Sequence, residues 1–325
     1  MASERAEQGG AVTIAVHELS KVFGGRVRAL DGVSTRIRAG EIYGLVGGNG
    51  AGKTTFMRTL LGLVKPSDGS IEVIPFDDAP QQGEAVIGSL IEAPSFVRGL
   101  SGRNNLRLLA RYWGLADSDV DAELDVGGLS EDASHRKYRT YSLGMKQRLG
   151  VAAALLGRPN IIVLDEPTNG LDPAGIADLR ELFTTLKDRG HTVILSSHLL
   201  SEVEGVCDRV GVLKNGRLVA EGTLAEIRGM SRRGARVTIT VDQVDKALQV
   251  LAEAGITAGA SATVPLAIEI PVDDVSTPKI NSLLVSAGVN VAAVTTSENS
   301  LEEMYFEITQ DVAERAEPVH EGAEK

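Results

Sequence analysis

The run Glu41-Ile42-Tyr43-Gly44-Leu45-Val46-Gly47-Gly48-Asn49-Gly50-Ala51-Gly52-Lys53-Thr54-Thr55 decides how this chain folds. Its first part, Glu41–Val46, is apolar behind an opening acid and reads as a strand. Its second part frames four residues between Gly47 and Gly52, sets Lys53 and Thr54 directly behind them, and continues as a helical pattern through about Leu63. Strand, glycine-rich turn and helix in that order make a cradle for phosphate. The glycines let backbone N–H groups converge on phosphate oxygens with no Cβ in the way. The following helix aims the positive end of its dipole at the same anion. Lys53 supplies a cation to the β- and γ-phosphates, and the Thr54 hydroxyl is a Mg²⁺ ligand. The expected nucleotide-binding residues are therefore Gly47, Gly48, Asn49, Gly50, Ala51, Gly52, Lys53, Thr54 and Thr55.

Four further segments bear on the chemistry. Ile161-Ile162-Val163-Leu164 is wholly apolar and ends in Asp165-Glu166, as a central parallel strand covered on both faces should. Ligands gather at the carboxyl ends of such strands. Asp165 there suits a Mg²⁺ ligand. Glu166 points the other way on an extended chain and is placed to polarise an attacking water. Tyr141-Ser142-Leu143-Gly144-Met145-Lys146-Gln147-Arg148 opens a helical run to about Leu156, with Ser142 as N-cap facing a phosphate. Asn169-Gly170-Leu171-Asp172-Pro173 is a turn just after the acids, and His198 follows the strand-like Thr192–Ser196.

The rest of the chain sets the frame. At 325 residues, with roughly 100–200 per domain, two domains are expected. A hydrophobic content of 43% with 24% charged residues is that of a soluble globular protein. The longest unbroken apolar stretch, Leu149–Gly157, is about half of what crosses a bilayer. One cysteine, Cys207, excludes an internal disulfide framework. A balance of 33 basic to 44 acidic residues argues against a surface made for nucleic acid. Residues 1–10 read as a loose polar leader, 11–230 as a mixed α/β domain, and Ser231–Gly234 as a polar hinge. Residues 235–310 read as a small α/β domain, and 311–325, with five acids against two bases, as a disordered tail. Within the small domain, strands over Arg236–Val241, Pro265–Ile270 and Val289–Thr295 accompany helices at Val244–Leu251, Ile280–Ala287 and Ser300–Gln310. That order suggests a β-α-β-β-α-β unit.

Over residues 12–230 the chain resembles the nucleotide-binding subunit of ATP-binding-cassette (ABC) transporters. Phosphate loop, signature helix, acidic strand, Asp172 turn and His198 come in that family's order. The resemblance implies an α/β P-loop ATPase cassette, a mixed sheet core plus a helical subdomain, with ATP and Mg²⁺ as cofactors. Phe23, in Lys21-Val22-Phe23-Gly24, matches the aromatic that stacks on adenine. Glu92 falls where the family usually has a glutamine that touches Mg²⁺ and the lytic water; a carboxylate there could bind the metal or slow turnover by repulsion. The resemblance also implies a head-to-tail dimer in which Ser142 and Gly144 serve the partner's nucleotide. Asp172 then couples the two sites, and His198 contacts the γ-phosphate. Closure drives a separate transmembrane permease, placing the chain in the cytoplasm, peripheral on the inner face of the membrane. The usual signature Leu-Ser-Gly-Gly-Gln is altered here by Leu143 and Met145, and Gly48 stands where Pro or His is common. With Glu92 and the closing Ser300-Leu301-Glu302-Glu303-Met304-Tyr305, these variations are similar to those of bacterial drug, bacteriocin and peptide-antibiotic exporters.

Two other classes compete. Cassette ATPases acting on DNA carry a long coiled-coil insertion and those acting on ribosomes carry two cassettes in one chain, whereas this chain has neither. An ordinary P-loop kinase or binding switch leaves the signature segment and His198 without a role.

Overall fold

The computed structural model describes residues 11–74, 87–92, 94–230, 236–261, 264–271 and 276–297. The chain divides into two compact units after Leu224. The expected leader (1–10), hinge (231–234), closing helix (300–310) and tail (311–325) lie outside the described residues.

The first unit opens with β1 (Val12–Phe23), β2 (Val27–Arg38), β3 (Ile42–Val46), α1 (Lys53–Leu60), β4 (Asp68–Val73) and β5 (Ile87–Leu90). A helical stretch follows: α2 (Gly102–Trp113), α3 (Asp117–Val126), α4 (Glu131–His135) and α5 (Leu143–Leu155). The chain then runs through β6 (Ile161–Leu164), α6 (Pro173–Asp188), β7 (Thr192–Ser197), α7 (Leu200–Val203), β8 (Arg209–Lys214) and β9 (Arg217–Gly222). Helix α8 (Leu224–Gly229) starts at the division.

Six strands form the central sheet in the order β5-β6-β7-β3-β8-β9. The first five are mutually parallel and β9 closes one edge antiparallel. Every residue of β3, β6 and β7 is buried. That burial explains the unbroken apolar runs: a strand covered on both faces has no solvent side to make polar. Because β6, β7 and β3 are neighbours, the residues that follow their carboxyl ends meet. Those residues are Asp165 and Glu166, His198, and the Gly47–Gly52 loop. The sheet order thus brings segments distant in sequence to one edge.

An antiparallel sheet, β2-β1-β4, packs into the same core. Phe56 and Met57 of α1, both fully buried, join it to Tyr43 and Leu45 of β3 and to Ile14, Leu19 and Val33 of the antiparallel pair. The expected extension of α1 to Leu63 is not seen. The helix stops at Leu60, and Gly62 turns the chain with φ 71°, the left-handed exit that glycine favours. Helices α2 to α5 have their own core, with Leu106, Val120, Leu124, Tyr138 and Leu149 at its centre. Serines cap three of these helices: Ser101, Ser130 and Ser142 each accept a bond from the backbone N–H three residues on. At the amino end of the central sheet, burial pushes the Glu41 carboxyl above its usual range, against the pull of Arg209.

The second unit contains β10 (Arg236–Val241), α9 (Val244–Glu253), β11 (Gly259–Ala260), β12 (Ala267–Pro271), α10 (Thr277–Ser286) and β13 (Val291–Ser297). Its strands pair antiparallel in the order β11-β12-β10-β13. Alternation along β10 turns Val237, Ile239 and Val241 into a core shared with Leu251 of α9 and Ile280 and Leu284 of α10. Strand β13 runs from Val291 and not Val289, α9 continues to Glu253, and the short β11 is additional to the sequence reading. Two further starts have a backbone cause. Strand β12 starts at Ala267 and not Pro265, because Leu266 sits at φ 55° and breaks the extended chain. Helix α10 starts at Thr277 and not Ile280, with Pro278 in the first turn, where a missing N–H costs nothing. Among the described residues no helix is long and apolar enough to cross a membrane.

Packing of α5 onto β5 leaves no room at Gly88: a Cβ there would stand 2.0 Å from the Ala154 carbonyl oxygen. Gly88→Ala is expected to destabilise the protein by about 1–3 kcal/mol, while Gly99→Ala, which meets nothing within 4 Å, should stay within about 0.5 kcal/mol of the parent. Urea unfolding followed by circular dichroism checks both, and equal midpoints for the two variants would contradict this packing.

Candidate functional site

The loop from Gly47 to Gly52 leaves β3 and turns sharply into α1. Two of its glycines are demanded by space. At Gly52, φ is 112° and a Cβ would lie 2.5 Å from the Ala29 carbonyl oxygen; at Gly47 a Cβ would lie 2.4 Å from that of Leu213. Gly52 is also the N-cap of α1 and offers no side-chain cap. The first N–H groups of the helix therefore face the loop rather than a hydroxyl or carboxylate of their own segment. A cavity of about 360 Å³ opens here, lined by residues 48–55 with Ala29, Glu166, Asn169 and His198.

Lys53 reaches back under the loop. Its ammonium donates to the carbonyls of Gly47 (2.6 Å) and Gly48 (3.3 Å) and pairs with Glu166 Oε1 at 3.0 Å. The side chain is only 6% exposed, and a lysine that buried needs this set of partners. The second oxygen of the same carboxylate, Glu166 Oε2, lies 2.8 Å from His198 Nδ1. One carboxylate thus bridges the cation of the phosphate loop and the histidine that follows β7.

The two acids part for a reason the sequence did not suggest. An extended chain was expected to send Asp165 and Glu166 to opposite sides. Instead Glu166 adopts a left-handed φ of 48°, which swings its side chain into the cavity. Asp165 stays buried at 7% exposure and accepts a 2.6 Å bond from the Ser196 hydroxyl. The Glu166 N–H donates to that same hydroxyl at 2.8 Å.

Ser142, Gly144 and Asp172 come together elsewhere. They line a second cavity of about 470 Å³ with Gly170, Arg148 and Asp178, and it shares no lining residue with the first. Ser142 caps α5 through Met145 N–H at 3.2 Å, which uses its oxygen as acceptor and leaves its proton to donate. Asp172 caps α6 through Gly175 N–H at 2.9 Å. Arg148 ties α5 to α6 through its ion pair with Asp178.

Four expected residues, Gly47, Asp165, Glu92 and Phe23, line neither cavity. Glu92, at φ 66°, is ion-paired with Arg58 of α1 and is two-thirds exposed. Phe23, at the end of β1, is 43% exposed and carries the Lys21 ammonium 5.0 Å from its ring centre. Sequence reasoning passed over Ser196, hidden as one more buried position of β7, and Arg58 and Arg148, which look like ordinary helix-surface charges.

A family model described as "ABC transporter" matches residues 30–169. The bacitracin transport ATP-binding protein BcrA of Bacillus licheniformis is 36% identical over 295 residues, covering 90% of this chain and 95% of that relative. The chain belongs to the ABC transporter ATP-binding subunits. A solved ATP-binding subunit of an ABC transporter aligns with TM-score 0.57 at 32% identity, over 67% of this chain and 92% of that one. A cassette solved as a dimer in a post-hydrolysis state, bound to ADP and Pi, aligns with TM-score 0.56 at 25% identity, over 65% and 98%. As an ABC subunit the chain is an ATP hydrolase, and the matched residues 30–169 lie within its first unit.

Gly52→Ala adds both a clash and a strained φ at the base of the phosphate loop, a cost on the order of 1–3 kcal/mol. ATP affinity, read by titration with a fluorescent ATP analogue, is expected to fall by about tenfold or more. Unchanged affinity would show that the loop does not need this backbone.

Proposed function

We propose that this chain hydrolyses Mg²⁺·ATP between two of its own copies and so drives a separate membrane permease that exports a drug or an antibiotic peptide. The observation that carries the reading is the Glu166 carboxylate, held between Lys53 and His198 on the wall of the phosphate-loop cavity. In this reading the N–H groups of residues 48–55 and the Lys53 ammonium receive the triphosphate. Glu166 takes the proton of the attacking water, and His198 holds Glu166 and the γ-phosphate in line. The entering anion competes with Glu166 for Lys53, which frees the carboxylate for its role as base.

Thr54 and Asp165 offer a hydroxyl and a carboxylate oxygen, hard donors that suit Mg²⁺ when phosphate and water complete its shell. The ion supplies neutralisation of phosphate charge. Glu92, paired with Arg58, reaches such a shell only by leaving that partner.

The second cavity supports the dimer. Ser142 and Gly144 stand apart from their own chain's phosphate loop, so in this reading they close over the nucleotide of the partner, head to tail. Phe23 then meets adenine once the Lys21 ammonium moves off its ring. The relative with bacitracin in its name supports export of a peptide antibiotic as the work performed. The permease places the subunit at the inner face of the membrane.

Glu166→Gln is expected to lower ATP turnover by about a hundredfold or more while ATP binding persists. Wild-type turnover in that variant would remove Glu166 from the reaction. Ser142→Arg is expected to abolish the ATP-dependent dimer seen by light scattering; dimers that persist at the parent's ATP concentration would contradict the shared site.

A further inference from the structure

Strand β7 ends in two serines, and alternation sends them to opposite sides. Ser197 turns to the carbonyl of Leu199 (3.0 Å) and to the Glu202 carboxylate. Ser196 turns to the acids that follow β6. It is 0% exposed, in a strand where an aliphatic side chain would be the default. A buried hydroxyl is tolerated only when it is bonded, and this one is bonded twice. A backbone N–H can only donate, so the 2.8 Å contact with Glu166 N makes the serine oxygen the acceptor. Its proton is then committed to Asp165 Oδ1 at 2.6 Å.

That arrangement sets two functional groups with one hydroxyl. The bond to Oδ1 restrains the Asp165 carboxylate. Holding the Glu166 N–H pins a non-glycine residue at φ 48°, a backbone state that persists only where its surroundings over-determine it. The left-handed turn is what carries the Glu166 side chain to Lys53 and His198.

We propose that Ser196 is a positioning residue that orients the metal-binding carboxylate of Asp165 and the basic carboxylate of Glu166 together. The inference rests on the reading of those two residues given above. Ser196 acts through them and touches no reacting atom.

The test uses the full-length protein with Mn²⁺ in place of Mg²⁺, followed by electron paramagnetic resonance in the presence of ATP. Ser196→Ala is expected to weaken Mn²⁺ binding and lower kcat, each by about ten- to a hundredfold, as loss of a group that orients a metal ligand does. ATP affinity in EDTA and the KM for ATP should stay within about twofold of the parent. Ser196→Thr keeps the hydroxyl and is expected to return both quantities to within about threefold. Ser196→Cys keeps the packing with a poor donor, and reads the same loss if the alanine variant does not fold. The proposal is overturned if a folded Ser196→Ala protein binds Mn²⁺ and turns over like the parent. It is equally overturned if ATP affinity in EDTA falls as far as Mn²⁺ affinity, since that is collapse of the whole site. A parent protein that binds ATP but no Mn²⁺ would instead defeat the metal reading itself, and this inference with it.

Discussion

A buried ammonium cannot stand alone, and the whole site follows from how this one is satisfied. Lys53, almost wholly out of water, is held by two loop carbonyls and by one oxygen of Glu166. The other oxygen of that carboxylate holds His198. For this to happen, three strands far apart in sequence have to end at one place, and the left-handed turn at Glu166 has to aim a side chain that an ordinary strand would send elsewhere. The parallel neighbours β6, β7 and β3 provide the first condition, and Ser196 contributes to the second. Lys53 is thus paired within its own chain, and in the proposed mechanism an entering triphosphate exchanges with a carboxylate that thereby becomes available as a base.

The same logic separates the two cavities. The signature segment opens α5, one of the helices with their own core, and meets the Asp172 turn rather than the phosphate loop. Arg148, bonded both to the Gly128 carbonyl at 3.1 Å and to Asp178, locks that layer to α6. A half-site made of a serine hydroxyl and a helix N-terminus is suited to an anion carried by something else. In the proposed dimer that something is a second copy of this chain.

Much of this was legible in the sequence because the physics is local. A glycine-framed turn between strand and helix, an apolar run ending in two acids, and a serine before a helix each declare themselves within a few residues. The small domain's β-α-β-β-α-β order was legible from alternation and helical spacing for the same reason, although the two-residue β11 was missed and β13 starts two residues late. At Leu266 and Pro278 backbone conformation outweighs apolar pattern. What was not legible depends on partners distant in the chain. Ser196 looks like any buried strand residue until Asp165 is set beside it. Nothing around Glu92 announces that Arg58 will hold it. The left-handed turn at Glu166 parts the two acids by a backbone state that strand alternation does not announce.

The central claim is that each catalytic unit is composite, with the phosphate loop of one copy completed by the Ser142 segment of another. Mixing two inactive variants tests it most directly: Lys53→Ala, which spoils the phosphate loop, and Ser142→Arg, which spoils the signature segment. In a head-to-tail mixed dimer one site inherits both defects and the other inherits neither. The account predicts that each variant alone is silent and that ATP hydrolysis reappears on mixing, at about a quarter or less of the parent rate, because only half of randomly paired dimers are mixed and each has one sound site. A mixture as silent as its components, or full turnover by Ser142→Arg alone, would contradict it.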